Sequence, residues 1–411
     1  MARRTLTTAE AADRLGVKPA TLYAYVSRGL LRRERTPSGS RFDAADVERL
    51  ALGGRRRARA DDPLSFISEL TSIEGDGHRY RGLDARALSR ARRFEEVAGW
   101  LWEATWPDAP ADKAPDEAPH AWEPLPGPLG TAAAACRALD PRTTPAERWR
   151  VAVAAAATAD PLRHDRTPAA VAATARSLLA LLVEVLPVAA VRPAAGTVAP
   201  SLVARLWARL SPLPAIPAQV AVLDAALVLM ADHEVAASTL AVRAAASFGA
   251  DPYAAVLAGM AAASGPRHAA SSLHVRPVLA RAAAQGPAVA LGDVLGRGAP
   301  HHGFGQALYP GGDPRATELL GRLRALPVDL AAVDGLLQLA ASRRMPPPNC
   351  DFALAALAQA TLMVPGASEA IFVLARTAGW VAHALEEYEQ RTPFRLRAAY
   401  VGPRETGDSP T

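Results

Sequence analysis

Cysteine is nearly absent. Cys136 and Cys350 are the only two in 411 residues, too few for a disulfide framework and without the C-x-x-C spacing of a metal site, so a reducing, cytoplasmic compartment is expected. Aromatic residues make up only 5% of the chain, and the alternating β-branched runs that mark strands are scarce, which leaves a mainly α fold as the expectation. Long hydrophobic runs are missing too. The most apolar stretch, residues 168–191, is broken by Arg176 and Glu184, so no membrane span is expected, and the opening Met1-Ala-Arg-Arg-Thr does not resemble a signal peptide. No second histidine follows His233 at the HExxH spacing, the other histidines are scattered, and no metal is expected. No internal repeat of fixed period is present.

What is abundant is alanine, leucine and proline. The 35 prolines must lie mostly at helix starts and in connections if the chain is helical. Charge is unevenly placed: residues 1–60 hold 14 Arg/Lys against 6 Asp/Glu, a net +8, while the remainder holds 32 against 35, a net −3. Such a basic end points to an appended module for a polyanion.

In that end, Thr7 and Glu10 have the spacing of a capping box. They open a short helix to Leu15, Gly16 makes the turn, and a second helix over 19–28 puts Leu22, Tyr25 and Val26 on its inner face. Two extended runs around Pro37-Ser-Gly-Ser40 read as a wing, and Asp43 caps a last helix over 43–50. The pattern Thr7-x-x-Glu-Ala-Ala-x-x-Leu-Gly-Val-x-x-x-Thr-Leu-Tyr23, with Arg28-Gly-Leu-Leu and Gly39-Ser-Arg-Phe, resembles the winged DNA-binding domain of the MerR/excisionase group. The resemblance implies a domain over 1–52 with Lys18, Thr21 and Tyr23 facing the major groove and Arg28 and Arg41 on phosphates; a helical cap that binds no nucleic acid is the plainer alternative. Residues 53–63 are a basic linker, whose Arg55, Arg56, Arg57 and Arg59 suit a DNA backbone or a solvated hinge equally.

Beyond the linker, residues 64–80 predict a small strand pair turning at Glu74-Gly-Asp-Gly77. Residues 107–128, rich in Pro, Ala and acidic side chains, predict an exposed connection. Helices are predicted around 129–139, 144–159, 168–186, 200–211 and 220–230, with more helix over 238–263. The stretch 299–315 breaks this pattern. Its glycines Gly303, Gly305, Gly311 and Gly312 permit close backbone approach to a ligand, and Arg315 behind Asp313-Pro314 can offer a planar fork to a carboxylate or phosphate.

Gly303-Phe-Gly, followed after seven residues by Asp313-Pro-Arg315, resembles the signature of the citrate synthase family. So do Tyr80-Arg-Gly-Leu-Asp84, Asp232-His-Glu234, Gly265-Pro-Arg-His268, Pro348-Asn-Cys-Asp351, Phe372-Val-Leu-Ala-Arg-Thr-Ala-Gly-Trp380 and the terminal Arg395-Leu-Arg-Ala-Ala-Tyr-Val-Gly402, all in the family's order. The resemblance implies a two-domain helical fold over 64–403, with a large domain of about 64–268 and 361–403, a small one of about 269–360, and a flexible tail at 404–411. It further implies a homodimeric acyltransferase of the tricarboxylic acid cycle type, without a separate cofactor. Oxaloacetate and a coenzyme A thioester, acetyl-CoA or another short acyl-CoA, would be its substrates. By carry-over, Asp351 is the base, His268 the donor to the enol oxygen, and His233, Arg315, Arg376 and Arg395 bind oxaloacetate, Arg395 in the partner subunit's site. Three departures stand out. Met230 replaces the first histidine of the Asp-His-Glu block, Ala269-Ala-Ser-Ser-Leu273 replaces the residues that follow the catalytic histidine, and Gln306 replaces the histidine that protonates the product alkoxide. Glutamine can donate a hydrogen bond but cannot readily deliver a proton. His301 and His302, just upstream, fit an ordinary loop role. A DNA-binding regulator that uses a degenerate citrate synthase fold as a metabolite sensor is the alternative function.

Overall fold

The computed structural model describes residues 5–36, 39–44, 46–47, 50, 66–104, 122–189, 201–214, 216–296 and 302–390, and it divides into two compact units between Thr71 and Ser72. The first unit is built as its caps dictate. Thr7 and Glu10 complete the capping box of α1 (Thr8–Leu15), and Pro19 opens α2 (Pro19–Ser27). Strands β2 (Arg33–Thr36) and β3 (Gly39–Asp43) pair antiparallel from Thr36↔Gly39 outward, which is the predicted wing. A strand the sequence did not announce, β1 (Thr5–Thr7), adds to the other edge of β3. The described residues between 44 and 50 are helical, and Asp43 Oδ1 accepts from Asp46 N at 3.2 Å. Ala11, Ala12, Leu22, Leu31, Phe42 and Val47 form the core, with Tyr25 and Val26 packed against it.

The second unit begins with a three-stranded sheet, β4 (Thr71–Glu74), β5 (Gly77–Tyr80) and β6 (Leu83–Asp84), in that order. Helices follow: α3 (Ala85–Ala91), α4 (Phe94–Glu103), α5 (Pro126–Arg137), α6 (Pro145–Thr158), α7 (Pro168–Glu184), α8 (Leu202–Leu210), α9 (Pro217–Met230), α10 (Ala237–Ser247) and α11 (Pro252–Ala263). After a 3-10 turn at Ala269–Ser271 come α12 (Ser272–Gln285), α13 (Pro287–Gly296), α14 (Pro314–Arg324), α15 (Ala331–Ser342), α16 (Cys350–Ala360) and α17 (Ala367–Glu389). Proline is the first residue of α2, α5, α6, α7, α9, α11, α13 and α14, where its missing N–H costs nothing. Pro277, inside α12, is the exception. The predicted connection over 107–128 is shorter than expected at its far end, because Pro126 already starts α5; residues 107–121 lie outside the described residues.

Helix α17 organises this unit. Twenty of its 23 residues are buried, and α4, α6, α7, α9, α10, α11, α12 and α16 all pack on it. A helix enclosed on every side needs no polar face, and its sequence has almost none until its end. There, Arg243 of α10 meets Glu386 and Glu387, each at 2.6 Å, and donates to His383 Nδ1 at 2.8 Å. That donation places the His383 proton on Nε2, which faces Asp232 Oδ2 at 3.2 Å. On the same helix Gly379 allows a close approach: a Cβ there would sit 2.5 Å from both Ala231 O and Asp232 Oδ1. Gly379→Ala is therefore expected to destabilise the protein by about 1–3 kcal/mol, seen as a lower midpoint of chemical denaturation; an unchanged midpoint would show that the backbone gives way at no cost.

No described helix is long and apolar enough to cross a membrane.

Candidate active site

The C-terminal carbonyls of a helix have no intrahelical donors, and at the end of α9 other elements supply them. Tyr80 Oη donates to Val228 O at 2.9 Å, Arg376 Nε to Met230 O at 3.0 Å and Gly379 N to Ala231 O at 3.0 Å. His78 Nε2–H then donates to Asp232 O at 3.1 Å. The chain leaves this cluster through Glu234, in the left-handed region at φ 53°, its carboxylate accepting from Ile73 N at 3.2 Å. His233 is thus fixed from both sides. Its Nε2 lies 2.9 Å from Tyr309 Oη, and its ring sits edge-on to His78 with centroids 5.1 Å apart. Burial, then the charge of Arg315, His78 and the charge of Arg376, hold the His233 imidazole well below its ordinary pKa, and burial with Arg315 pushes His78 down to about 3.

The glycine-rich stretch and the segment before α16 clamp each other. Gly305 N donates to Pro347 O at 2.8 Å, Asn349 N to Gly303 O at 2.9 Å and Asn349 Nδ2 to Gly305 O at 2.9 Å. Gly303 has φ 85°, and a Cβ there would come within 2.9 Å of Val275 Cγ2, so glycine is required on both counts. Asp313 ties two helix starts together. It caps α14 by accepting from Arg315 N at 3.0 Å, and its Oδ2 accepts from Cys350 N at 3.0 Å at the start of α16. Burial alone would raise its carboxyl, but the Arg315 charge and these hydrogen bonds hold it below the ordinary value. Part of the Arg315 fork is engaged by a carboxylate of the chain itself. Nε and Nη2 grip Asp313 at 2.9 and 2.8 Å, because the preceding carboxylate is the cap of its own helix; Nη1 has no partner among the described residues. Arg376 keeps more donors, its Nε alone being engaged, with its guanidinium 4.7 Å from the Phe372 ring centroid.

Asp351 stands in the first turn of α16, whose cap is Asn349. Burial raises its carboxyl to about 6, a hydrogen bond from Ser271 and the Arg315 charge pulling the other way. Ser271 also lies 3.2 Å from His302 Nδ1, and His302 stacks on His274 with centroids 4.5 Å apart. His268, three residues before Ser271, has its Nε2 2.7 Å from Ser238 Oγ. Trp380 Nε1–H donates to that same oxygen at 3.3 Å, so Ser238 holds both side chains, and a serine hydrogen donated to His268 Nε2 would put the imidazole proton on Nδ1. Burial, then Arg376, lower His268 to about 4, which favours the neutral imidazole at pH 7. Arg376 acts electrostatically on His78, His233 and His268, and Arg315 on His78, His233 and Asp351. The predicted residues His233, His268, Arg315, Asp351 and Arg376, from five distant segments, therefore share one site. An open cleft of about 400 Å³ lies elsewhere, lined by Arg86, Arg90, Glu318 and Arg322, and none of the candidate residues borders it. No group of three His, Cys, Asp or Glu among the described residues could hold a metal ion.

The Gln306 side chain bonds within its own loop, its Oε1 accepting from Leu308 N at 3.4 Å. Arg395 and His301 lie outside the described residues, as do residues 53–63 and 404–411. Tyr309, His78, Ser238 and Ser271 also belong to the site, and the sequence did not single them out for it. The strand alternation of β5, which turns His78 and Tyr80 to the same buried face, was the available signal for His78. In the first unit Lys18 and Arg28 are exposed at the two ends of α2, and Thr21 and Arg41 are half-buried. Tyr23 packs edge-on to Phe42, with Arg33 5.5 Å above its ring.

Comparison with known proteins bears on the family and the fold. Residues 62–397 match the model of the citrate synthase C-terminal domain, and residues 7–42 match that of the MerR family regulatory protein. A putative citrate synthase 2 of Mycobacterium tuberculosis is 34% identical over 197 residues, covering 46% of this chain and 52% of that protein; the chain spans about half the length of the curated relatives of this kind. The fold matches that of citrate synthase from Thermotoga maritima with a TM-score of 0.64 at 21% identity, over 84% of this chain and 95% of that one. It likewise matches the Thermoplasma acidophilum citrate synthase, solved as a ternary complex with carboxymethyl coenzyme A and oxaloacetate, with a TM-score of 0.63 at 22% identity, over 85% and 97%. With a family model covering most of its length and the family's motif residues gathered around one buried site, this chain belongs to the citrate synthase family.

Proposed function

We propose that the protein condenses acetyl-CoA, or another short acyl-CoA, with oxaloacetate and then hydrolyses the thioester to release citrate or a homologue and free CoA. The observation that carries this reading is the pairing of a carboxylate poised at about 6, Asp351, with a neutral imidazole donor, His268, beside two buried arginines. A thioester methyl group is a weak acid. Asp351 removes its proton while His268 Nδ1–H stabilises the developing enol oxygen. The enol carbon attacks the oxaloacetate ketone, whose carboxylates are met by the Arg376 fork and Arg315 Nη1, with His233 adding a hydrogen bond. Water then cleaves the thioester. In this reading Arg395 completes the site from a second copy, making the protein a homodimer with the mass of two chains in solution. The N-terminal unit, with Lys18 and Arg28 exposed, is assigned to duplex DNA; binding to a DNA duplex that weakens steeply with salt is its test.

The deciding assay is release of CoA from acetyl-CoA with and without oxaloacetate. Release that depends on oxaloacetate supports the reading, and its absence removes it. The pH dependence follows from the base. A group raised to about 6 is protonated, and inactive as a base, below that pH. The rate should fall as pH drops through 6. Because Ser271 stabilises the charged carboxylate, Ser271→Ala should move this acid limb to higher pH; a limb left in place would mean that Ser271 does not act on Asp351.

A further inference from the structure

We propose that Tyr309, acting through His233, supplies the proton that neutralises the oxyanion formed from the ketone, a role the amide of Gln306 cannot fill. The inference rests on the condensation reading above. Three observations on one short loop carry it. Gln306 spends its side-chain oxygen on Leu308 N. Three residues on, Tyr309 turns inward, 2% exposed, and brings its hydroxyl within 2.9 Å of His233 Nε2. The Arg315 guanidinium lies 5.8 Å from the Tyr309 ring centroid, its charge opposing the burial that raises the hydroxyl to about 12.

The contact between Tyr309 Oη and His233 Nε2 admits the direction of transfer that the relay requires. With Tyr309 Oη–H donating to Nε2, the His233 proton sits on Nδ1, and Nδ1 has no partner among the described residues. An imidazole whose charged form is suppressed by burial and by Arg315, His78 and Arg376 cannot store an extra proton. It can pass one from Nδ1 as another arrives at Nε2. The balance is closed. The new carbon–carbon bond takes the enol electron pair, and the ketone π pair moves to oxygen. That oxygen takes the Nδ1 proton, the tyrosine proton moves to Nε2, and a phenolate remains beside Arg315. Asp351 holds the proton taken from the methyl group, and water returns a proton to Tyr309 as Asp351 releases its own, so no net proton is gained or lost.

The test compares three full-length proteins, unmodified, Tyr309→Phe and Tyr309→Phe/Gln306→His, by kcat and KM for oxaloacetate. Phenylalanine keeps the ring packing and removes only the hydroxyl. We expect Tyr309→Phe to lower kcat by a factor on the order of 10² with KM for oxaloacetate little changed. An imidazole at 306 in the double variant should restore most of the loss, since it offers the oxyanion an independent donor; a loop that had merely loosened would not be rescued in this way. Full kcat in Tyr309→Phe overturns the relay and leaves the condensation reading intact. A loss that Gln306→His does not restore also overturns it, because Tyr309 would then only position His233. No oxaloacetate-dependent turnover by the unmodified protein removes the reading and the relay together.

Discussion

Asp351→Ala should reduce oxaloacetate-dependent release of CoA by a factor on the order of 10²–10⁴, the range for removing a positioned general base. The side chain is free to do chemistry because it does no structural work at the helix start: Asn349 Oδ1 caps α16 by accepting from Asp351 N at 3.0 Å and Phe352 N at 3.4 Å. Its neighbour Phe352 is fully buried and holds the turn in place. Denaturation of the variant should therefore track the unmodified protein while turnover collapses. If the variant turned over normally, the proton would be leaving by another route, and the assignment of the base would fall.

Arg376→Leu should raise KM for oxaloacetate far more than KM for the acyl-CoA. Removing a buried, hydrogen-bonded charge that pairs with a ligand carboxylate costs about 2–5 kcal/mol, or roughly 30-fold to several thousand-fold in affinity. Leucine fills much of the same space against Phe372, so packing is largely kept, although Met230 O loses its donor. A second effect separates a direct role from a general loosening. Burial and then the Arg376 charge hold His268 down, so without that charge its imidazole should titrate at a higher pH, as its NMR resonances would report. An oxaloacetate KM unchanged by Arg376→Leu would place the dicarboxylate elsewhere.

Much of this architecture was legible because its determinants are local. Prolines mark helix starts through the fixed φ and missing N–H, the capping box announces α1, and a glycine cluster cannot continue a helix. Candidate site residues such as Asp351 behind Pro348-Asn-Cys were singled out because contiguous motifs resemble those of a family. What escaped depends on closure in space. Ser238 orients His268 across 30 residues, and His78 reaches Asp232 across 154. Tyr309 lay within the stretch singled out, yet nothing in a line of letters says that its hydroxyl turns toward His233 while the Gln306 oxygen bonds within its own loop. Arg315 has an internal partner that the sequence did not announce. A guanidinium beside an Asp-Pro turn reads as a fork for a ligand, but the capping aspartate two residues earlier takes most of it first.

The carbonyls at the end of α9 are met by donors from β5 and from the middle of α17, segments some 300 residues apart in the chain. His233 therefore inherits its position from residues that touch no reactant. A screen for inactivating substitutions would return hits at Tyr80, at His78 and at Gly379 alongside those at Asp351 and His268. Damage in this protein has many addresses and few mechanisms: a lesion in a β-hairpin and one in the last helix would both be felt as the same misplaced imidazole.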